Sequence, residues 1–225
     1  MDETFIVAFA SLIFFIIEFL VLRQVYPKSK FEIVAFSHAL LATVASFYVV
    51  FTFGRPSDYI IHTLQGEKPL VIEKMLPMVT WGYSIYDIGN GIYERNLSFL
   101  YHGVVLFLLC YSLFHFNCLH YLTGPLLMEI STVLLNLLFL KSMVINLSFV
   151  VTFLIMRWCV IPYLWYYYIK QAFYNHIGTQ RTETQTQLPA DWVVLIGGIA
   201  FHCLNVYWGI KILKKAHRTL NEKQD

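Results

Sequence analysis

Long apolar stretches broken by short polar ones dominate this chain. Seven segments, approximately 5–22, 31–53, 76–93, 98–115, 120–140, 147–169 and 191–213, are each long enough to cross a hydrocarbon core. Such a crossing needs about 20 helical residues for about 30 Å. The separators hold the expected breakers: Pro27–Lys28–Ser29, Gly54–Arg55–Pro56–Ser57, Glu94–Arg95–Asn96 and the polar stretch Thr179–Gln187 before Pro189. In lipid a backbone must satisfy its own polar groups, so these segments are expected as helices. The pattern therefore predicts an all-α polytopic membrane protein of about seven transmembrane helices.

Composition agrees: 58% of the 225 residues are hydrophobic and 13% charged, against about 25% charged in soluble proteins. A net charge of +2 gives a nucleic-acid partner no electrostatic support. The four cysteines, Cys110, Cys118, Cys159 and Cys203, are scattered in or beside apolar runs and read as small packing residues. The first run lacks a basic flank and a cleavage motif, so it is expected to be retained as a span.

Basic residues set the expected orientation. With the N-terminus lumenal or extracellular, ten fall on the cytosolic side (Arg23, Lys28, Lys30, Arg95, Lys141, Lys211, Lys214, Lys215, Arg218, Lys223). Five fall opposite (Arg55, Lys68, Lys74, Lys170, Arg181). The C-terminus is then cytosolic, and the basic tail from Lys211 is expected to lie at anionic headgroups. The sequons Asn96-Leu-Ser98 and Asn146-Leu-Ser148 also fall on the cytosolic side and are discounted.

Four ionisable residues, His38, Asp87, His102 and Arg157, lie inside the apolar runs, where a charge costs roughly 2.5–3.5 kcal/mol on insertion scales. Counted from their helix ends, His38, Asp87 and His102 fall at one level, roughly 6–11 Å below the cytosolic interface. A His/Asp set of this kind supports proton transfer or attack on an acyl group, the carboxylate fixing the imidazole tautomer. The same pair equally serves as a hydrogen-bonded lock between the third and fourth spans. Tyr83, one turn before Asp87, is within reach of that carboxylate or of a substrate. Glu129 and Ser131 sit mid-span in the fifth segment and Arg157 mid-span in the sixth. Glu129 and Arg157 either neutralise each other or leave Arg157 to anchor a phosphate or carboxylate. Glu18 reads as a protonated or snorkelling residue, and His202 and Asn205 as interhelical hydrogen-bonders. His115, Cys118 and His120 read as a loop cluster rather than a metal site, and no metal is expected.

The motifs together resemble the TLC domain family, which includes the ceramide synthases and the small TLC-domain-containing proteins. They are Phe36-Ser37-His38-Ala39-Leu40-Leu41-Ala42, Gly82-Tyr83-Ser84-Ile85-Tyr86-Asp87, Tyr101-His102, Glu129-Ile130-Ser131-Thr132 with Asn136, and Met156-Arg157. The resemblance lies closer to the small proteins than to the synthases. It implies an N-terminal helix and basic loop (1–30), a TLC domain over 31–216 and a cytosolic tail (217–225). It further implies a six-helix barrel around a central cavity open to the cytosol, in an endoplasmic reticulum membrane rather than the plasma membrane. His102 and Asp87 would be the catalytic positions. His38, Tyr83, Tyr101, Glu129, Ser131 and Arg157 would line or brace the substrate. The implied function is membrane lipid metabolism or homeostasis, with a ceramide-synthase-like acyl transfer from fatty acyl-CoA to a sphingoid or phospholipid acceptor. The implied partners are membrane lipids and acyl-CoA as co-substrate, with no tightly held cofactor.

Two departures stand out. Tyr101 occupies the place where relatives usually carry the first of two adjacent histidines. Val133 replaces a frequent Pro, which predicts a straighter fifth helix. A non-enzymatic lipid-binding regulator or trafficking factor is the alternative function. A proton-coupled transporter ranks below both, because no repeated halves are evident.

Overall fold

The computed structural model describes residues 3–25, 33–53, 58–59, 69–178 and 187–221. The stretches carrying Pro27–Lys28–Ser29, Gly54–Arg55–Pro56–Ser57, Lys68 and Arg181 lie outside the described residues, as does Lys223. Among the described residues the helices are α1 (Glu3–Val25), α2 (Ile33–Thr52), α3 (Val71–Tyr93), α4 (Leu97–His115), α5 (Ile130–Asn136), α6 (Met143–Phe153), α7 (Ile161–Gly178) and α8 (Gln187–Asn221). Described residues hold no strand. The protein is an all-α, multi-pass membrane protein.

Six stretches are both long and apolar enough to cross a membrane: Glu3–Leu22, Ile33–Thr52, Leu97–His115, Leu119–Leu140, Met143–Lys170 and Asp191–Lys215. The remaining expected span, α3, has the length, at 23 residues. Glu73, Lys74 and Asp87 make it more polar than its neighbours. It is sheltered by α1, α2 and α4, and both of its carboxyl side chains are buried.

Neighbour relations close a ring. The second span packs on the fifth, the fifth on the sixth, the sixth on the seventh, the seventh on the fourth, the fourth on the third, and the third back on the second. Helix α1 stands outside, running parallel to α3. Its buried stripe, Thr4, Ala8, Ser11 and Phe15, repeats at i, i+4, i+7 and i+11, one face of a 3.6-residue period. Ser11 Oγ donates to the Val79 carbonyl at 3.3 Å. Gly82 makes this approach possible, because a Cβ there would fall 2.0 Å from Ser11 Oγ.

Two spans depart from regular α-helix. The fifth, expected to be straight, is broken into 3₁₀ turns at Leu119–Leu122 and Pro125–Glu129, the short α5, and a last 3₁₀ turn at Leu138–Leu140. Pro125 after Gly124 accounts for the break, since proline lacks the N–H and clashes with the carbonyl four residues back. Val133 does not restore continuity. Such backbone is tolerated at membrane depth only when protein surrounds it, and α2, whose Ala39, Ala42, Ala45 and Ser46 are buried, packs on this span. The sixth span changes to a π-helix at Leu154–Val160 between α6 and α7. Pro162 follows directly, and its ring removes the ladder bond to Trp158.

Candidate functional site

The third and fourth spans form a tight antiparallel hairpin, and its geometry decides which side chains meet. Arg95 takes a left-handed φ of 51° in the turn. The Asn96 N–H bonds back to the Gly91 carbonyl at 2.9 Å, closing α3. The Asn96 side chain then caps α4, accepting from the Ser98 N–H at 3.2 Å and its hydroxyl at 2.8 Å. A turn this short sets the register that puts residue 87 opposite residue 102. Gly103 lets the backbones close, since a Cβ there would lie 2.8 Å from the Ile88 nitrogen.

The result is a bond between His102 Nδ1 and Asp87 Oδ2 of 2.7 Å. Both side chains are nearly enclosed, at 12% and 7% exposure. A carboxylate accepts, so the proton between them sits on Nδ1 and leaves Nε2 as the basic nitrogen. Phe201 meets the imidazole edge-on at 5.5 Å between ring centres, and Trp208 lies at 5.9 Å. Both rings come from α8.

His38 does not join this pair. It lies in the seam where α2 meets α3 and α1. Its Nε2 is 3.1 Å from Thr80 Oγ1, and its ring is stacked on Tyr83 at 3.8 Å with 1° between planes. Phe15 of α1 closes on both rings. Thr80 is seven residues from Asp87 along α3, about 10 Å of helix rise. His38 thus meets α3 at Thr80 and Tyr83, two turns and one turn from Asp87.

Tyr101 is not brought to the cluster. It is 43% exposed on the outer face of α4, while its neighbour His102 points inward. Successive helical residues differ by about 100°, and here that step turns Tyr101 away while His102 meets Asp87.

A second polar centre lies deeper in the ring. Arg157, presented by the π-helical turns, is 4% exposed. Its Nε donates to Ser131 Oγ at 2.8 Å, one terminal nitrogen to Asn205 Oδ1 at 2.9 Å, and the other to Thr132 Oγ1 at 2.9 Å. Glu129 stands 3.8 Å away as counter-ion. The guanidinium also faces Phe153 at 5.4 Å and Trp208 at 5.5 Å. Neutral oxygens therefore hold Arg157 more closely than Glu129 does. Every span of the ring thus contributes a polar side chain, and Trp208 touches both the imidazole and the guanidinium.

Elsewhere, Ser37 donates to Glu18 across the α1–α2 contact. Cys118 is buried between the fourth and fifth spans, which pushes its thiol up to about 11. Among the described residues no three or more His, Cys, Asp or Glu side chains converge as a metal site would require, His115, Cys118 and His120 included.

The TLC domain matches residues 28–214, more than four fifths of the chain. The chain belongs to the TLC domain family. No curated protein and no solved structure gives a significant match. The matched region takes in every span of the ring and leaves out the whole of α1.

Sequence reasoning missed Thr80, Thr132, Phe201 and Trp208, and it placed Asn205 only as a generic hydrogen-bonder. One signal was available for the last three. Phe201, Asn205 and Trp208 fall at i, i+4 and i+7 on one helical face, the spacing that marks an inward stripe.

Proposed function

We propose that this TLC-domain protein acts in membrane lipid metabolism, binding acyl lipids within its ring and transferring an acyl group from fatty acyl-CoA to a lipid amine or hydroxyl, of sphingoid or phospholipid type. The observation that carries the reading is the 2.7 Å bond between His102 and Asp87 in a nearly water-free setting. Nε2 takes the proton from the acceptor's N–H or O–H as its nitrogen or oxygen attacks the thioester carbonyl. A new C–N or C–O bond forms, the C–S bond breaks, and the departing thiolate receives the proton from the imidazolium. Asp87 holds the tautomer and stabilises the cation, a combination worth about 10²–10⁴ in rate.

Tyr101, exposed on the outer face of α4, supplies no second imidazole, so His102 alone is the base on which this reading rests. We place the pair toward the cytosolic face, with the N-terminus lumenal, on the count of basic residues. The endoplasmic reticulum is the membrane the family resemblance favours. Acyl-CoA then approaches from the side holding Arg95, Lys141 and the basic end of α8.

The test is purified protein with labelled acyl-CoA and a sphingoid base or lysophospholipid. The expected result is an acylated product that disappears in His102→Ala and Asp87→Asn and persists in Tyr101→Phe. Stoichiometric lipid retention with no product from any acceptor defeats the transfer reading and leaves a lipid-binding regulator.

A further inference from the structure

The amide of Asn205 has one half of its hydrogen-bonding capacity assigned and the other half unused. Arginine only donates, so the atom facing the Arg157 guanidinium must be the Asn205 oxygen. That fixes the amide, and Nδ2 is necessarily the atom on the other side. Asn205 is 1% exposed, and Nδ2 is enclosed with no acceptor among the described residues. The indole N–H groups of Trp81 and Trp165 share that state, but only Asn205 is held by the Arg157 cation. A buried donor of this kind calls for an acceptor. Its position along α8 says which ligand. Phe201 and Trp208, one turn to either side on the same face, are the two rings that flank His102. Asn205 is therefore within about 6 Å of helix rise of either ring beside that imidazole.

We propose that Asn205 Nδ2 is a hydrogen-bond donor to the carbonyl oxygen of a bound acyl group, and that Arg157 is the positioning residue that aims it. The ligand class is an acyl carbonyl, supplied by an acyl thioester or by an ester lipid. The assignment rests on the acyl-lipid part of the function proposed above, but not on turnover. Arg157, Ser131 and Thr132 hold the amide in place before any ligand arrives, so the donor needs no rearrangement. Glu129, 3.8 Å from the guanidinium, is its counter-ion.

The experiment compares carbonyl ligands with their reduced counterparts. Native mass spectrometry and competition binding on the purified full chain would use oleoyl-CoA against its thioether analogue, which lacks the carbonyl. In parallel they would use a diacyl phosphatidylcholine against the dialkyl ether lipid. The wild type is expected to favour the carbonyl member of one pair by about three- to tenfold, the range one hydrogen bond supplies. The favoured pair identifies the source. Asn205→Asp keeps the acceptor for Arg157 and removes the amide donor, while Asn205→Thr shortens the side chain. Both are scored only where thermal melting shows a folded protein. Each is expected to bring the ratio near one while leaving affinity for the ether analogue unchanged. A wild type that makes no distinction in either pair overturns the assignment, and so does a preference that survives in both variants. If no acyl transfer is detected but the Asn205-dependent preference holds, the transfer reading fails and this one stands. If transfer proceeds and the preference ignores Asn205, the reverse is true.

Discussion

The two polar centres inside the ring are built by opposite means. His102 and Asp87 meet on two regular helices joined by a three-residue turn, and one bond links them. Arg157 sits on π-helical backbone, faces a fifth span made partly of 3₁₀ turns, and spends its donors on Ser131, Thr132 and Asn205. The first centre keeps a ring nitrogen for something else, while the second engages every nitrogen of the cation. A cation bonded to two other spans holds the ring together, whereas a pair with a spare basic atom can do chemistry. Trp208, shared by both, is where bracing and chemistry touch.

The strongest way to break this division is Arg157→Leu. Removing the cation leaves Glu129 and three buried oxygens without their partner, and unpairing a buried charge costs about 3–5 kcal/mol. Thermal melting in detergent should show a large fall. Arg157→Lys should recover little, because one ammonium cannot span the same acceptors in a planar fork. A melting temperature within a degree or two of wild type for Arg157→Leu would remove the bracing role.

Next is Gly103→Val, which forces a side chain against the Ile88 backbone. Overpacking of this kind costs about 1–3 kcal/mol. It should also separate Asp87 from His102, so acyl transfer is expected to fall further than stability does. Equal losses in both would argue that the hairpin spacing serves the fold alone.

Asp87→Asn sharpens the contrast further. It is nearly isosteric and retains a neutral hydrogen-bonding group, so melting should drop by only about 1 kcal/mol, while turnover should fall at least about a hundredfold. The smallest effect is expected for Thr80→Val, at most about 1 kcal/mol of stability with turnover unchanged. Should Thr80→Val silence the protein as completely as Asp87→Asn, then His38 and His102 work as one unit.

Much of this was legible in the sequence where helices are regular. The register of the α3–α4 hairpin follows from a short turn and a constant rise, so counting inward from Glu94–Asn96 was enough to pair Asp87 with His102. Counting did not show that His38 would meet Thr80 and Tyr83, because that depends on the packing between α2 and α3 rather than on either length. The break at Gly124–Pro125 was written in the chain and was outweighed by the apolar run around it. The π-helical turns had a weaker mark, Pro162, and no pattern of side chains announced that Arg157 would be presented by them. Arg157's partners come from two other spans, and only the assembled ring reveals them.

The broken backbone of the fifth span carries a consequence for how that span is held in the bilayer. A continuous helix can enter the bilayer alone, with every amide already engaged along its own ladder. This stretch has a weaker ladder, its amides held by 3₁₀ bonds such as Thr123 to His120 and Leu127 to Gly124, whose geometry is poorer than that of an α-helix. It therefore leans more on α2 and the sixth span for its place in the bilayer than a continuous helix would.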